Sequence, residues 1–375
     1  MRPIQMVDLK TQFERIKDDV NASISEVINN SIFINGPQVK EFAIQLALFN
    51  KVSKVVPCAN GTDALQIAMM ALNFKPGDEV ILPVFTYVAT AEVIALLGLK
   101  PVFVDVDPDT FNIDPTKIEE KISSKTKAIV PVHLFGQCAD MESILAIASK
   151  NELDTIEDAA QSIGSEFTFR NNKSQFAGTI GTIGTTSFFP SKNLGCYGDG
   201  GALYTNNEEL GRKVEIIANH GQAVKYHHDL IGINSRLDTL QAGILLKKLP
   251  HLNEYIKNRR IAATFYDQAL GSISQIKIPV RSASSSHVFH QYTIKVLGGQ
   301  RDALQNFLSK KGIPTMVYYP LPLHRQNAYK VYNTTNETFP VSEALSQQVL
   351  SLPIHTEMDE EQLTYITSNI VNFFK

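Results

Sequence analysis

Between residues 52 and 158, short apolar runs and helical patterns alternate at a density that few folds can accommodate. Strand patterns fall at 52–57, 79–84, 101–105, 127–134 and 155–158, and helical ones at 61–71, 89–97 and 141–148, with Pro76-Gly77-Asp78 as a turn. A parallel pair of strands needs a crossover long enough to hold a helix. Repetition of this kind therefore predicts a mostly parallel sheet covered by helices. Right-handed crossovers limit the connections without fixing the strand order. Upstream, Phe13, Ile16, Val20, Ile24, Val27 and Ile28 form one apolar helical stripe opposite Lys17, Asp18 and Asp19. A second amphipathic segment spans 39–49.

Past the chain midpoint the pattern changes. Residues 178–205 are rich in Gly, Thr, Ser and aromatics and poor in charge. After Leu237 a long helix is predicted, with Leu240, Ile244, Leu245, Leu249, Leu252, Tyr255 and Ile256 as its apolar positions and Pro250 as its kink. Then come a strand at 288–296, a helix at 301–311 stopped by Gly312, extended chain at 317–319, and helices at 342–350 and 359–373. The expected architecture is α/β: a large, mostly parallel-sheet domain over 1–250 and a smaller C-terminal α+β domain over 251–375, joined by the helix around 240–265.

Composition narrows the function. Lys plus Arg number 35 and Asp plus Glu 38, a formal charge of -3, which gives no global electrostatic reason to bind nucleic acid. No apolar run is long enough to cross a bilayer; 80–99 is broken by Pro83, Thr86, Tyr87, Thr90 and Glu92. Three isolated cysteines, Cys58, Cys138 and Cys196, make no disulfide framework and favour a reducing compartment. A cytoplasmic protein is expected.

Three segments carry chemistry. In Asn60-Gly61-Thr62-Asp63-Ala64-Leu65 a strand runs into a helix start, exposing N–H groups and a hydroxyl to an anion, although an ordinary helix cap has the same residues. In Thr155-Ile156-Glu157-Asp158-Ala159-Ala160-Gln161, Asp158 follows a short apolar run at the edge where open α/β sheets bind ligands. That carboxylate suits a protonated heteroaromatic nitrogen, or a helix cap; Gln161 would face the same way on a helix. In Thr186-Ser187-Phe188-Phe189-Pro190-Ser191-Lys192-Asn193, Lys192 sits among aromatic and small residues, before Gly195, Gly198, Gly200 and Gly201. A lysine kept dry has a lowered pKa and serves as nucleophile or base. An anion site, an acid for a ring nitrogen and a sheltered amine are together the requirements of pyridoxal phosphate (PLP). Tyr87 at a strand end could stack on its ring.

These ordered segments, with Pro83 to Ala91 and Ser187 to Gly201, resemble the DegT/DnrJ/EryC1/StrS family of PLP-dependent nucleotide-sugar aminotransferases. That family is a branch of the fold-type I (aspartate aminotransferase-like) enzymes, and the resemblance runs over essentially the whole chain. It implies that Lys192 is the Schiff-base lysine and that Asp158 contacts the pyridine nitrogen. Gln161 would lie on the ring-hydroxyl side, Tyr87 over the ring, and Gly61, Thr62, Asp63 and Ser187 at the phosphate. Asn234 would reach the phosphate of a second subunit, which implies a homodimer with shared sites. Relatives that dehydrate carry histidine at the lysine position, so Lys192 implies transamination, with L-glutamate as donor and pyridoxamine phosphate (PMP) as the intermediate cofactor form.

The resemblance further implies a UDP-linked 3-oxo amino sugar, UDP-2-acetamido-2-deoxy-3-oxo-D-glucuronate, aminated at C3 for surface polysaccharide such as O-antigen. The uncharged UDP-3-oxo-N-acetylglucosamine and a 4-keto-6-deoxy sugar are alternatives, and a non-catalytic PLP-binding regulator is the alternative of another class. Tyr319 and His324 match the segment approaching the sugar; Arg236 and Lys225 are available cations for a carboxylate. Adjacent His227-His228 lack spaced Cys or acidic partners, and no metal is expected. No Gly-x-Gly-x-x-Gly follows the first strand, against a dehydrogenase.

Overall fold

A computed structural model describes residues 2–333 and 337–375. The alternation of the first half builds a seven-stranded sheet in the order Lys54–Cys58, Gly201–Thr205, Ile183–Ser187, Asp154–Asp158, Thr126–Ile129, Glu79–Pro83, Lys100–Val104. Gly201–Thr205 pairs antiparallel with both its neighbours and every other pairing is parallel. The carboxyl ends of the parallel strands therefore share one edge, where doubly wound sheets place their ligands. The strand Glu79–Pro83 is buried at every position, as a strand covered on both faces must be. Helix Gly61–Ala71 packs Ala64, Leu65, Ile67, Ala68 and Met69 onto the sheet.

The smaller C-terminal region is α+β. Strands Ile276–Lys277, Tyr292–Val296 and Val349–Leu352 form an antiparallel sheet around which Tyr266, Ile294, Leu304, Leu308, Leu350 and Ile366 make a separate core. Pro250 divides the long helix as expected, into Thr239–Lys248, a 3-10 turn at Leu249–His251, and Leu252–Leu270.

Four stretches differ from the sequence reading. The strand expected over 127–134 ends at Ile129: Pro131 has no N–H, and the Leu134 N–H goes to Asn112 Oδ1 at 2.9 Å, leading into a 3-10 turn. The strand expected from 288 starts at Tyr292 because buried Arg259 draws the carbonyls of Phe289 and His290 to its guanidinium. The helix expected over 342–350 is Pro340–Gln348, and the following Val349–Leu352 is a strand, with all four of its residues buried. The 317–319 stretch carries no strand, although its neighbour Met316 bridges to Ser351.

Candidate active site

A cavity of about 450 Å³ opens at the carboxyl edge of the large sheet, within the usual size of small-molecule sites. Asn60, Gly61, Thr62, Thr86, Tyr87, Asp158, Gln161, Ser187, Lys192 and Tyr319 contribute to its wall, so the three chemistry-bearing segments meet in one place. A larger groove of about 960 Å³, between Phe49, Phe176 and the helix Leu252–Leu270, is a different matter. It is the more open of the two to solvent and contains none of the candidate catalytic groups.

The anion end is built from the helix Gly61–Ala71. Asn60 caps it, accepting the Asp63 N–H at 2.8 Å, so the capping residue is Asn60 and not Thr62. The first N–H groups of the helix have no partner within it. Gly61 is needed for the approach: a Cβ there would sit 2.8 Å from the Ser187 Cβ. Gly61, Thr62 and Ser187 thus form a cradle that a side chain would fill.

Lys192 lies in a turn after the strand Ile183–Ser187. The turn is closed by Lys192 N–H donating to Phe189 O at 2.8 Å and Cys196 N–H to Phe188 O at 2.8 Å. At Gly195 a Cβ would run into the Pro190 carbonyl. Burial pulls the Lys192 amine down to about 8, against the opposing attraction of Asp158. A substantial share of neutral amine is what a nucleophile and proton carrier needs.

Asp158 ends the strand Asp154–Asp158. Its Oδ2 accepts the Thr90 hydroxyl at 2.8 Å and its Oδ1 the Ala160 N–H at 3.2 Å. Glu157, one residue earlier, faces away from the site. It accepts N–H groups from Gly178 at 2.9 Å and from Ile180 and Gly181 at 2.6 Å, and meets His133 Nε2 at 2.8 Å. His133 Nδ1 accepts the Ala139 N–H at 3.1 Å, so Nε2 carries the proton. This buried network holds the strand end, and Asp158 with it.

The donor set fits a phosphorylated pyridine aldehyde: N–H groups and hydroxyls at one end, a carboxylate at the other, and an amine beside them. Thr86 Oγ1 and His290 Nδ1 are buried without a protein partner on this cavity, as groups completed by a polar ligand are.

A family model described as the DegT/DnrJ/EryC1/StrS aminotransferase family matches residues 14–371. The chain belongs to that family. Among its relatives, the UDP-2-acetamido-2-deoxy-3-oxo-D-glucuronate aminotransferase of Pseudomonas aeruginosa is 47% identical over 98% of this chain and 100% of that protein. A pleiotropic regulatory protein of Geobacillus stearothermophilus is 46% identical over 99% of each. The Bacillus subtilis protein NtdA, solved with bound cofactor PMP, superposes with a TM-score of 0.89 at 34% identity, covering 96% of this chain and 82% of that one.

Within this aminotransferase the remaining expected residues divide. Gln161 lines the cavity, its Oε1 accepting the Phe135 N–H at 2.7 Å and its amide donating to the Tyr319 hydroxyl at 3.3 Å. Tyr319 is buried, which raises its phenol, while Tyr87 is 58% exposed, its ring centroid 6.3 Å from that of Tyr319. Asp63 contributes its backbone to the cap. With Asp63, four further residues stand outside the cavity wall of this chain. His324 packs on Phe339 and turns to Glu343 at 2.9 Å; Arg236 donates to Asn219 Oδ1 at 3.3 Å. Lys225 lies over its neighbour Tyr226 on an exposed hairpin, and Asn234 is exposed beside Asn219. His228 Nδ1 is spent on the His220 carbonyl at 2.8 Å. Sequence reading missed Thr90, Thr86, Tyr318, His290 and Gln291. Thr90 sits in the first turn of the helix Ala89–Leu96, and nothing local in the sequence pairs it with Asp158.

Proposed function

We propose that this aminotransferase uses PLP to transfer the amino group of L-glutamate to C3 of UDP-2-acetamido-2-deoxy-3-oxo-D-glucuronate, for surface polysaccharide. The observation that carries the reading is the convergence of Lys192, Asp158 and the Gly61–Ser187 cradle on one cavity in a chain of this family. The identity shared with the Pseudomonas aeruginosa enzyme supports the choice of sugar.

Bound PLP supplies an electron sink for the pair left when a proton leaves the donor's Cα. Lys192 Nζ would hold the cofactor's aldehyde carbon, and in its neutral form would be the group that takes up the proton at the donor's Cα and returns one at C3 of the keto sugar. Asp158, kept in place by Thr90, holds the ring nitrogen's proton, and Gln161 bounds the ring-hydroxyl side. The N–H groups of Gly61 and Thr62 with the Thr62 and Ser187 hydroxyls would hold the phosphate, the Asp63 N–H being held by Asn60, and Tyr87 would cover the ring. Tyr319 lines the sugar side.

A second copy of the chain completes the site in this reading, bringing Asn234 to the phosphate and Arg236 or Lys225 to the sugar carboxylate. Tyr226 and Ile231, 79% and 87% exposed around Asn234, are the apolar contacts of that homodimer. Among the described residues no helix is long and apolar enough to cross a membrane, and the cysteines are free and buried. The reaction is assigned to the cytoplasm.

The test offers the PMP form three sugars: UDP-3-oxo compounds with and without the C6 carboxylate, and a 4-keto-6-deoxy sugar. The reading requires fastest turnover of the carboxylate-bearing sugar. Preference for either of the others overturns the substrate, and no transfer to any of them overturns the activity.

A further inference from the structure

An amino donor arrives with a carboxylate directly attached to the carbon that Lys192 must reach. Such a group needs a cation or several N–H donors. Among the described residues of the cavity wall, Lys192 is the sole cation, and it is the reacting amine; Asp158 and Asp199 repel an anion. With Arg236 or Lys225 of a second copy given to the sugar carboxylate in the reading above, this chain's own wall offers the donor's carboxylate neutral groups.

Two side chains are available and unused. His290 is 5% exposed and its Nδ1 has no hydrogen-bond partner among the described residues. Gln291 is 8% exposed, and its side-chain amide makes no hydrogen bond among them either. Both line the cavity, side by side, just before the strand Tyr292–Val296. Of the two, His290 Nδ1 is the fully buried atom, and a buried polar atom left without a partner is costly unless a ligand completes it.

Their placement relative to Lys192 is fixed. Asn193, next to Lys192, donates its amide to Val288 O at 3.0 Å. The Val288 N–H reaches Gly136 O at 2.8 Å and the Gln291 N–H reaches Phe135 O at 3.2 Å. Behind the segment stands Arg259, 2% exposed, its Nη1 donating to the carbonyls of Phe289 at 3.1 Å, His290 at 3.4 Å and Ile354 at 3.0 Å. Among the described residues no carboxylate pairs with it, so its charge is left uncompensated beneath the wall and favours an anion in front. Burial, with Lys192 and Arg259 nearby, keeps the His290 ring well below its ordinary value, so it presents one N–H as a neutral donor.

We infer that His290 and Gln291 form the subsite for the α-carboxylate of the amino donor, with the buried Arg259 cation behind it. The subsite rests on the transaminase reading above. A carboxylate could also come from C6 of the sugar. That group lies several bonds from C3, which places it toward the mouth by Tyr87 and Phe189, 58% and 51% exposed, and away from the wall beside Lys192. The donor is therefore the occupant.

The experiment titrates PLP-loaded protein with glutarate, a dicarboxylate without an amine, by calorimetry, and in parallel with UDP-glucuronate. His290→Ala and Gln291→Ala should each weaken glutarate by about tenfold or more, the scale of a lost hydrogen bond to a charged group. Retained PLP, thermal midpoint and UDP-glucuronate affinity should stay at wild-type levels. Should His290→Ala fail to fold, His290→Asn and Gln291→Leu carry the same expectation. Unchanged glutarate affinity in the folded variants overturns the subsite, and a parallel loss of UDP-glucuronate makes the sugar carboxylate the occupant and overturns it too. A wild-type protein that holds no PLP, or transfers no amine from glutamate, overturns instead the transaminase reading beneath.

Discussion

Replacing Asp158 by Asn in the cofactor-free protein should push the Lys192 amine further down, not up. Two influences act on that amine. Burial is the larger and favours the neutral form, while the Asp158 carboxylate favours the cation and opposes it. Their balance leaves the amine at about 8, against 10.5 for an ordinary lysine. At pH 7 about one amine in ten is then neutral, where an ordinary lysine has about one in three thousand, a gain of roughly 300-fold in the reactive form. Asp158→Asn removes the opposing influence and leaves burial unbalanced. The assay is competitive acylation by a small anhydride across pH, with the Lys192 peptide quantified by mass spectrometry. Wild-type reactivity should rise through a midpoint near 8, and the Asp158→Asn midpoint should fall below it. A wild-type midpoint near 10.5, or a variant midpoint above the wild type, would refute the reasoning.

Thr90→Val keeps the shape and removes the donor to Asp158 Oδ2, and should lower kcat/KM by about 10- to 100-fold with unchanged circular dichroism; an unaffected rate would show that Asp158 needs no such support. Gly61→Ala forces a Cβ against Ser187 and should weaken PLP binding by about tenfold or more, read by equilibrium dialysis, with a stability loss of about 1–3 kcal/mol in urea titration. His287, stacked on Phe289, is held down to about 3 by burial and by the Arg281 and Arg260 cations. The folded ring therefore binds fewer protons than the unfolded one between about pH 6.5 and 3, so stability present above 6.5 is lost as pH falls through that window. His287→Phe should flatten that part of the stability–pH curve; an unchanged slope would remove His287 as a contributor.

What was legible in the sequence followed from local chemistry. Apart from the run at 127–134, the apolar runs of the first half that became sheet strands and the capped segment that became the helix Gly61–Ala71 could be read within a residue or two. Lys192 was visible because its neighbours carry no charge. Asp158 was visible because it ends a buried strand. The supporting groups were not, because they come from far along the chain. Thr90 lies 68 residues from the carboxylate it steadies, and His290 is presented by a segment whose strand pattern hid a carbonyl turn onto Arg259. Nearness in sequence misled at His324, which sits beside the Tyr319 segment yet spends its ring on Glu343. Val349 and Leu350 read as helix because their helical spacing continued from Pro340–Gln348, whereas pairing with Tyr292–Val296 buries them as strand.

Among the described residues two lysines are pulled down to about 8 by burial, Lys192 and Lys248, and of these only the first faces the cavity. Lys248 Nζ is committed to Gly195 O at 2.5 Å behind the site. Borohydride reduction of the PLP-loaded protein, followed by peptide mapping, separates them. The cofactor should be found covalently fixed to Lys192 alone, and lost from the map in Lys192→Ala. Label on Lys248 or on any other lysine, or none after PLP has visibly bound, would contradict the assignment on which the rest depends.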